Sequence, residues 1–198
     1  MADLFYSVGN DLESQIELLK TDILTYAKTL GYKKKSLPLL HGKAENMSNN
    51  ILIVQPPFKG KKHFSDDEFK ALIYTMGKFG ILNYFVTYSH PVPLERHTKN
   101  EIKKFSTWMS KLIEMISPKL IVALGEEAEL VFFRRKFILR DFHGTVVDQH
   151  AGIPVMISFP FDYYASKSSY EDRSYKKYIQ DTDWTAIKEE YDRRITCQ

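Results

Sequence analysis

The sequence is poor in the features that mark a redox, metal or membrane protein. Its 198 residues hold a single cysteine, Cys197. One thiol cannot close an internal disulfide, complete a cysteine-rich zinc site or carry an iron–sulfur cluster on four thiolates. No cofactor and no metal are therefore expected. The apolar runs are short: Leu120 to Leu124 falls far below the roughly 20 residues of a membrane span. Met1 to Ser14 show neither a basic n-region nor an apolar h-region, so no signal peptide is expected. The expectation is an intracellular protein without a membrane partner. Low-complexity tracts and internal repeats are lacking as well. Hydrophobic residues at 43 % and charged residues at 27 % exclude disorder over most of the chain. The length suits one core rather than two, so one domain is expected over 1–198, with an N-terminal helix at 10–31 and a core at 51–195.

The net charge is only +3, yet the basic residues are grouped: Lys33 to Lys35, Lys59 with Lys61 and Lys62, Arg134 to Lys136, Lys176 with Lys177, and Arg193 with Arg194. Such groups suit phosphate contacts, although charge runs are commonly just solvated.

Periodicity sets the elements. Leu12, Ile16, Leu19, Ile23, Tyr26 and Leu30 recur at three and four residues, which predicts an amphipathic helix stopped by Gly31. A polar stretch, Lys33 to Asn50, reads as a long ordered loop. Ile51 to Val54 reads as a buried strand ended by Pro56 and Pro57. Ser65 with Glu68, and Thr98 with Glu101, read as capping boxes opening two helices. Further strands are expected at Asn83 to Tyr88, Leu120 to Leu124 and Ile153 to Ser158, with a minor edge strand at Val146 and Val147. Short and long helices are expected at Glu126 to Arg134 and around Trp184, Ile187 and Tyr191. Strands alternating with helices predict an α/β fold of three layers, helices on both faces of a central, mainly parallel four-stranded sheet. In such sheets the ligand crevice lies beyond the carboxyl ends of the strands. Gln55 to His63, Tyr88 to His97 and Phe159 to Tyr164 should meet there.

These segments, in this order, resemble the uracil-DNA glycosylase superfamily, particularly its family 4 branch, over about Leu12 to Arg194. Ser117 to Ala128 is similar to the family's segment of Pro, apolar strand, Leu-Gly, two residues and Ala. Its physical content is a buried strand turning sharply into a helix, with Gly permitting the close turn. Arg96, Thr98 and Glu101 match a family Arg followed by a capping Thr and Glu. Gly152 to Val155, and Asp183 with Trp184, resemble the later elements.

The resemblance implies base chemistry that the matching residues cannot perform. Where the family carries an acidic residue after its first strand, this chain has Gln55, Pro56, Pro57 and Phe58. Where it reads the uracil edge with an Asn, this chain has Tyr88, whose phenol lacks the paired donor and acceptor. Where it stabilises the leaving base with a His, this chain has Phe159, which donates no hydrogen bond. The family 4 cluster cysteines have no counterpart.

Several candidates remain. Phe58, Tyr88, Phe159, Phe161, Tyr163 and Tyr164 either form a stacking surface for nucleic acid or fill the former base pocket as core. Lys59, Lys61, Lys62 and Arg96, with Phe161, Tyr163 and Tyr164, are the expected DNA contacts. His63, His90 and His97 lie in crevice loops and titrate near neutrality, but no ligand motif accompanies them. Asp66 and Asp67 are explained by the first turn of a helix. Glu95, His90 and His97 are the weak catalytic candidates. Three functions follow: a DNA-binding protein of replication or repair without ordinary uracil excision, an active DNA glycosylase with altered base choice, or a module that uses the old pocket for a protein partner.

Overall fold

The four main runs of β-branched and aliphatic residues form strands enclosed on both sides. In the computed structural model, which describes residues 10–33, 35, 39–43, 49–56, 66–92, 98–135, 137–165 and 170–196, the strands are β1 (Leu40–Lys43), β2 (Ile51–Gln55), β3 (Tyr84–Tyr88), β4 (Leu120–Leu124), β5 (Thr145–His150) and β6 (Ile153–Ser158). The helices are α1 (Asn10–Thr29), α2 (Asp66–Lys78), α3 (Lys99–Ile116), α4 (Glu126–Phe133), α5 (Leu139–Phe142), α6 (Phe161–Ala165) and α7 (Tyr170–Thr196).

The six strands form one sheet in the order β1-β3-β2-β4-β6-β5. The four inner strands run parallel, and β1 and β5 pair antiparallel at the edges. The four strands expected as the core of the sheet are the four parallel ones, but the sheet has six strands, not four. The difference has two physical reasons. β1 reads Leu-His-Gly-Lys, too polar and short to show alternation, and it lies inside the expected loop Lys33 to Asn50. β5 extends well beyond the expected Val146 and Val147; most of its side chains are exposed, so an edge strand here carries no burial pattern.

Side chains alternate between two cores, as the period of two requires. One face carries Leu52, Val54, Phe85, Ile121, Ala123, Val155 and Ile157 against α1, α3 and α4. The other carries Ile51, Ile53, Val86, Val122, Leu124 and Met156 against α2 and α7, through Leu72, Met76, Trp184 and Ile187. The chain leaves β2 towards the α2 face and leaves β3 towards the α3 face. The sheet order therefore reverses between β2 and β4, and their carboxyl ends border the switch-point crevice of an open α/β sheet.

Local chemistry fixes the helix ends near that crevice. Thr98 caps α3: Glu101 donates its backbone N–H to Thr98 Oγ1 at 3.3 Å, and Thr98 donates its own to Glu101 Oε2 at 2.6 Å. This is the capping box expected from the sequence. α3 ends on Ser117 in the left-handed region, φ 44°, before Pro118. The other expected box involves Ser65, which lies outside the described residues. Gly125 turns β4 into α4 at φ +80°, and a Cβ there would sit 3.2 Å from Pro160 Cγ. Its backbone N–H donates to Ser158 O at 2.8 Å, which ties the end of β4 to the end of β6.

Replacing Thr98 by Ala removes one half of the α3 cap. The expected loss is about 1 kcal/mol of stability, read from the shift of the urea unfolding midpoint; an unchanged midpoint would mean that the box contributes nothing in solution.

Candidate functional site

The parallel ladders set four strand-end residues in one row. Gln55 is paired with Tyr88, and Leu124 with Ser158. Val54 is paired with Ala123, so the next residues along, Gln55 and Leu124, continue the same register. Each residue of the row stands two places beyond one that faces the α2 and α7 core: Val86, Ile53, Val122 and Met156. By the strand period, Tyr88, Gln55, Leu124 and Ser158 face that same side. Neighbouring strands lie about 4.8 Å apart, so the row crosses the carboxyl end of the parallel strands.

The row combines apolar and polar groups, all of them buried. Tyr88 is 2 % exposed, its ring edge-on to His41 with centroids 6.4 Å apart. His41 in turn packs on Phe69 of α2 at 5.4 Å. Gln55 is fully buried, and neither Oε1 nor Nε2 of its amide finds a hydrogen-bond partner among the described residues. Its backbone carbonyl accepts from Ser89 N–H at 2.8 Å.

At the β6 end stands a polar network. Ser158 Oγ donates to Asp183 Oδ2 at 2.5 Å, and His143 Nδ1 lies 2.6 Å from Asp183 Oδ1. Tyr164 OH is 3.3 Å from Ser158 Oγ, and burial pushes that phenol well above its ordinary range. Asp183 is 1 % exposed, whereas the His143 side chain keeps 23 % of its surface open. With Nδ1–H directed at the carboxylate, Nε2 is the nitrogen that can meet a ligand. Gly144 makes this approach possible. It sits at φ +70°, and a Cβ there would lie 2.9 Å from Asp183 Oδ1. The arrangement orients an imidazole. It does not activate Ser158 as a nucleophile, because the Ser158 hydroxyl is spent on the carboxylate rather than on the imidazole.

The aromatic residues divide between surface and core. Phe159 stacks on Tyr163, 4.4 Å between centroids and 19° between planes, and lies 5.2 Å from the His143 ring. Lys176 Nζ stands 5.0 Å over Tyr163. Phe159, Tyr163 and Tyr164 are half-buried. Phe161, expected among the DNA contacts, is instead 3 % exposed and packs 6.0 Å from Trp184. It starts α6 with its side chain turned into the α7 core, so its ring has no face left for a base.

The weak catalytic candidates fare unevenly. His90 is 2 % exposed, with Nδ1 2.9 Å from Ser89 Oγ and its ring edge-on to Phe105 at 5.3 Å; it is enclosed rather than presented to the crevice. Pro56 follows Gln55 and is half-buried. Glu95, Arg96, His97, Pro57, Phe58, Lys59, Lys61, Lys62 and His63 lie outside the described residues. Sequence reasoning missed His143 and the polar role of Asp183. The two are 40 residues apart, and nothing local marks them as partners; His143 before a glycine, and an acidic residue inside an otherwise apolar stripe of α7, were the only hints.

A four-thiolate iron–sulfur cluster does not fit this chain, because its one cysteine, Cys197, cannot supply the ligands. No described helix is long and apolar enough to cross a membrane.

The family model of the Uracil DNA glycosylase superfamily matches residues 10–182. No curated protein matches the chain.

Burial raises the Asp183 carboxyl above its ordinary 3.8, against the opposing hydrogen bonds from Ser158 and His143. Between 3.8 and that raised value the folded chain binds more protons at Asp183 than the unfolded chain does. Stability therefore falls as pH rises through this window. Asp183→Asn removes the titrating group, so its unfolding temperature is expected to fall less than that of the native chain as pH rises from about 4. Thermal unfolding at a series of pH values and fixed salt measures the difference; parallel curves would rule the buried carboxylate out as its source.

Proposed function

Because the chain belongs to the uracil DNA glycosylase superfamily, we propose that it binds DNA on the family scaffold without excising uracil by the family's route, and acts at DNA in replication or repair. One observation carries this reading. Tyr88, at the position where the resemblance puts the uracil-reading Asn, is buried at the carboxyl end of β3, and a phenol offers no paired donor and acceptor. Phe159 supports it from the other side: its ring stacks on Tyr163 where the resemblance puts a hydrogen-bond donor. Loss of one such donor commonly costs about 100- to 1,000-fold in rate, and here the reading group and the donor change together.

The test has two arms. The native chain is expected to release no uracil from uracil-containing DNA, single- or double-stranded. It is expected to bind DNA with an affinity that falls steeply between about 50 and 200 mM salt. Charge reversal of Lys59, Lys61 and Lys62 to Glu is expected to weaken binding and lower the salt slope by about 1 for each phosphate left without its lysine. Efficient uracil release, or no DNA binding at low salt, would refute the proposal.

A second reading, a glycosylase with altered base choice, is favoured by the His143–Asp183 pair. That imidazole lies against Phe159 and supplies a proton-carrying group beside the position that lost one. In that chemistry the C1′–N bond breaks with its electron pair passing to the base. His143 Nε2 gives the base a proton, and water adds to C1′ and returns a proton to solvent. A panel of DNAs with modified or damaged bases, probed for abasic sites, tests it. The expected pattern is cleavage of some member of the panel, lowered about 100-fold or more in His143→Gln. An inert panel, or a His143→Gln variant of full activity, would refute it.

A further inference from the structure

We propose that β5, with the short helix α5 before it, is a docking edge for an extended acidic segment of a protein partner, which adds to the sheet as a further strand. The surface lies on the outer edge of the sheet, apart from the row of strand ends, and does not depend on DNA binding. β5 closes the strand order, and among the described residues its one strand partner is β6. Every second residue of such an edge turns its N–H and C=O away from the sheet, a template for another strand. The two edges of this sheet differ. β1 has four residues, and its described side chains are buried or half-buried. β5 has six, of which Thr145, Val146, Asp148 and Gln149 are exposed. A register shift between Val146 and Asp148 twists the edge, which disfavours a long flat partner and suits a short one.

Beside this edge stand apolar groups that the core does not take up. Ile138, Phe142 and Val146 are 61 %, 45 % and 42 % exposed. Thr145 Oγ1 donates to Phe142 O at 2.6 Å, so the end of α5 is held against the start of β5. The loop before α5 is fixed as well. Phe137 N–H donates at 2.7 Å to Oε2 of the fully buried Glu129, and the rings of Phe133, Phe137 and Phe142 pack edge to face at 5.3 and 5.9 Å. A surface ordered in advance loses less entropy when it binds.

Charge selects the occupant. Arg134, Arg135 and Arg140 are exposed on this loop and helix. They face two carboxylates, Asp148 at 3.6 Å from Arg135 and Asp141 at 3.2 Å from Arg140. Exposed pairs of this kind contribute little, so the guanidinium groups can turn to a partner's carboxylates and hold them with two hydrogen bonds each. A second copy of this chain would bring another net-positive surface to the same edge. A DNA strand would use the arginines but leave the strand edge and the apolar residues without partners. A segment that alternates β-branched and acidic residues uses all three: backbone pairing gives affinity, and alternate side chains give specificity.

The experiment uses the full chain and two labelled peptides, Asp-Val-Glu-Ile-Asp-Val-Glu-Ile and its counterpart with Lys at the acidic positions, with binding read by fluorescence anisotropy. The acidic peptide is expected to bind at least about 10-fold more tightly than the basic one, and less tightly as salt rises. Arg135→Glu combined with Arg140→Glu is expected to reverse that order. Phe142→Ser combined with Val146→Ser is expected to weaken the acidic peptide by about 10-fold. Thermal unfolding checks that each variant is folded. Amide hydrogen exchange in β5 is expected to slow when the peptide is bound, because the added strand pairs the outward N–H groups. No binding of the acidic peptide, an order that survives the charge reversal, or unchanged exchange in β5 would overturn the proposal. Duplex DNA that displaces the peptide and slows exchange in β5 would assign the edge to nucleic acid. A dimer seen by light scattering and lost in the Phe142 and Val146 variant would assign it to a second copy. Either result would overturn the proposal too.

Discussion

Enclosure of four parallel strands on both faces is the constraint from which the site follows. A strand covered on both sides can place no unpaired polar side chain along its length, since burial without a partner is costly. β2 is apolar from Ile51 to Val54, β4 from Leu120 to Leu124, and β6 from Val155 to Ile157. Polar side chains first appear where these strands end: Gln55 on β2 and Ser158 on β6. Because the ladders are parallel and in register, those ends line up. The hydrogen bond from Gly125 N–H to Ser158 O then fixes how far the β4 turn stands from β6. The row of strand ends is thus a by-product of how the core is built, and its polarity depends on a handful of terminal residues.

The aromatic residues at the strand ends fit the same frame. Tyr88 continues the apolar packing of β3 towards His41 and Phe69, where a smaller polar side chain would leave space. Phe159 finds its partner in Tyr163. The polar groups on the same face are Gln55 and the buried Asp183 that holds His143. Groups of this kind interact strongly because little water competes with them, and they cost stability for the same reason.

The frame is legible in the sequence because it is periodic. The α1 stripe from Leu12, the four apolar strands and the Thr98–Glu101 box all repeat a pattern that local physics reads directly, and the family segment from Ser117 to Ala128 points to the same fold. The edge strands are not legible. β1 and β5 bury too few side chains to alternate, and they are held by backbone pairing to β3 and β6, which leaves no trace in side-chain type. The candidate site is half legible. Gln55, Tyr88 and Phe159 stand out as departures from a known motif. Phe161 reads as a surface residue because a run of aromatics gives no sign of which ring turns inward; the start of α6 decides it. His143 and Asp183 escape notice because their contact depends on the return of β5 against β6 and on the packing of α7, neither of which any short window of sequence contains.

Aromatic faces and free polar edges fall on different parts of the carboxyl end of this sheet. Phe159 and Tyr163 already stack on each other at 4.4 Å, so each has used one face of its ring. Phe159 also packs on the His143 ring, and Lys176 takes a position over Tyr163, a cation–π contact that stabilises that ring where it stands. The ring pair is therefore rigid and largely self-satisfied, a wall more than a pair of jaws. Gln55 is the opposite case: it has hydrogen-bonding capacity on both atoms and no aromatic face. Stacking against a wall is tolerant of base identity, since every base has a π-face, whereas a buried amide rejects whatever cannot satisfy it. The β6 end of the row is thus its rigid, satisfied end, and the β2 end carries its unsatisfied polarity.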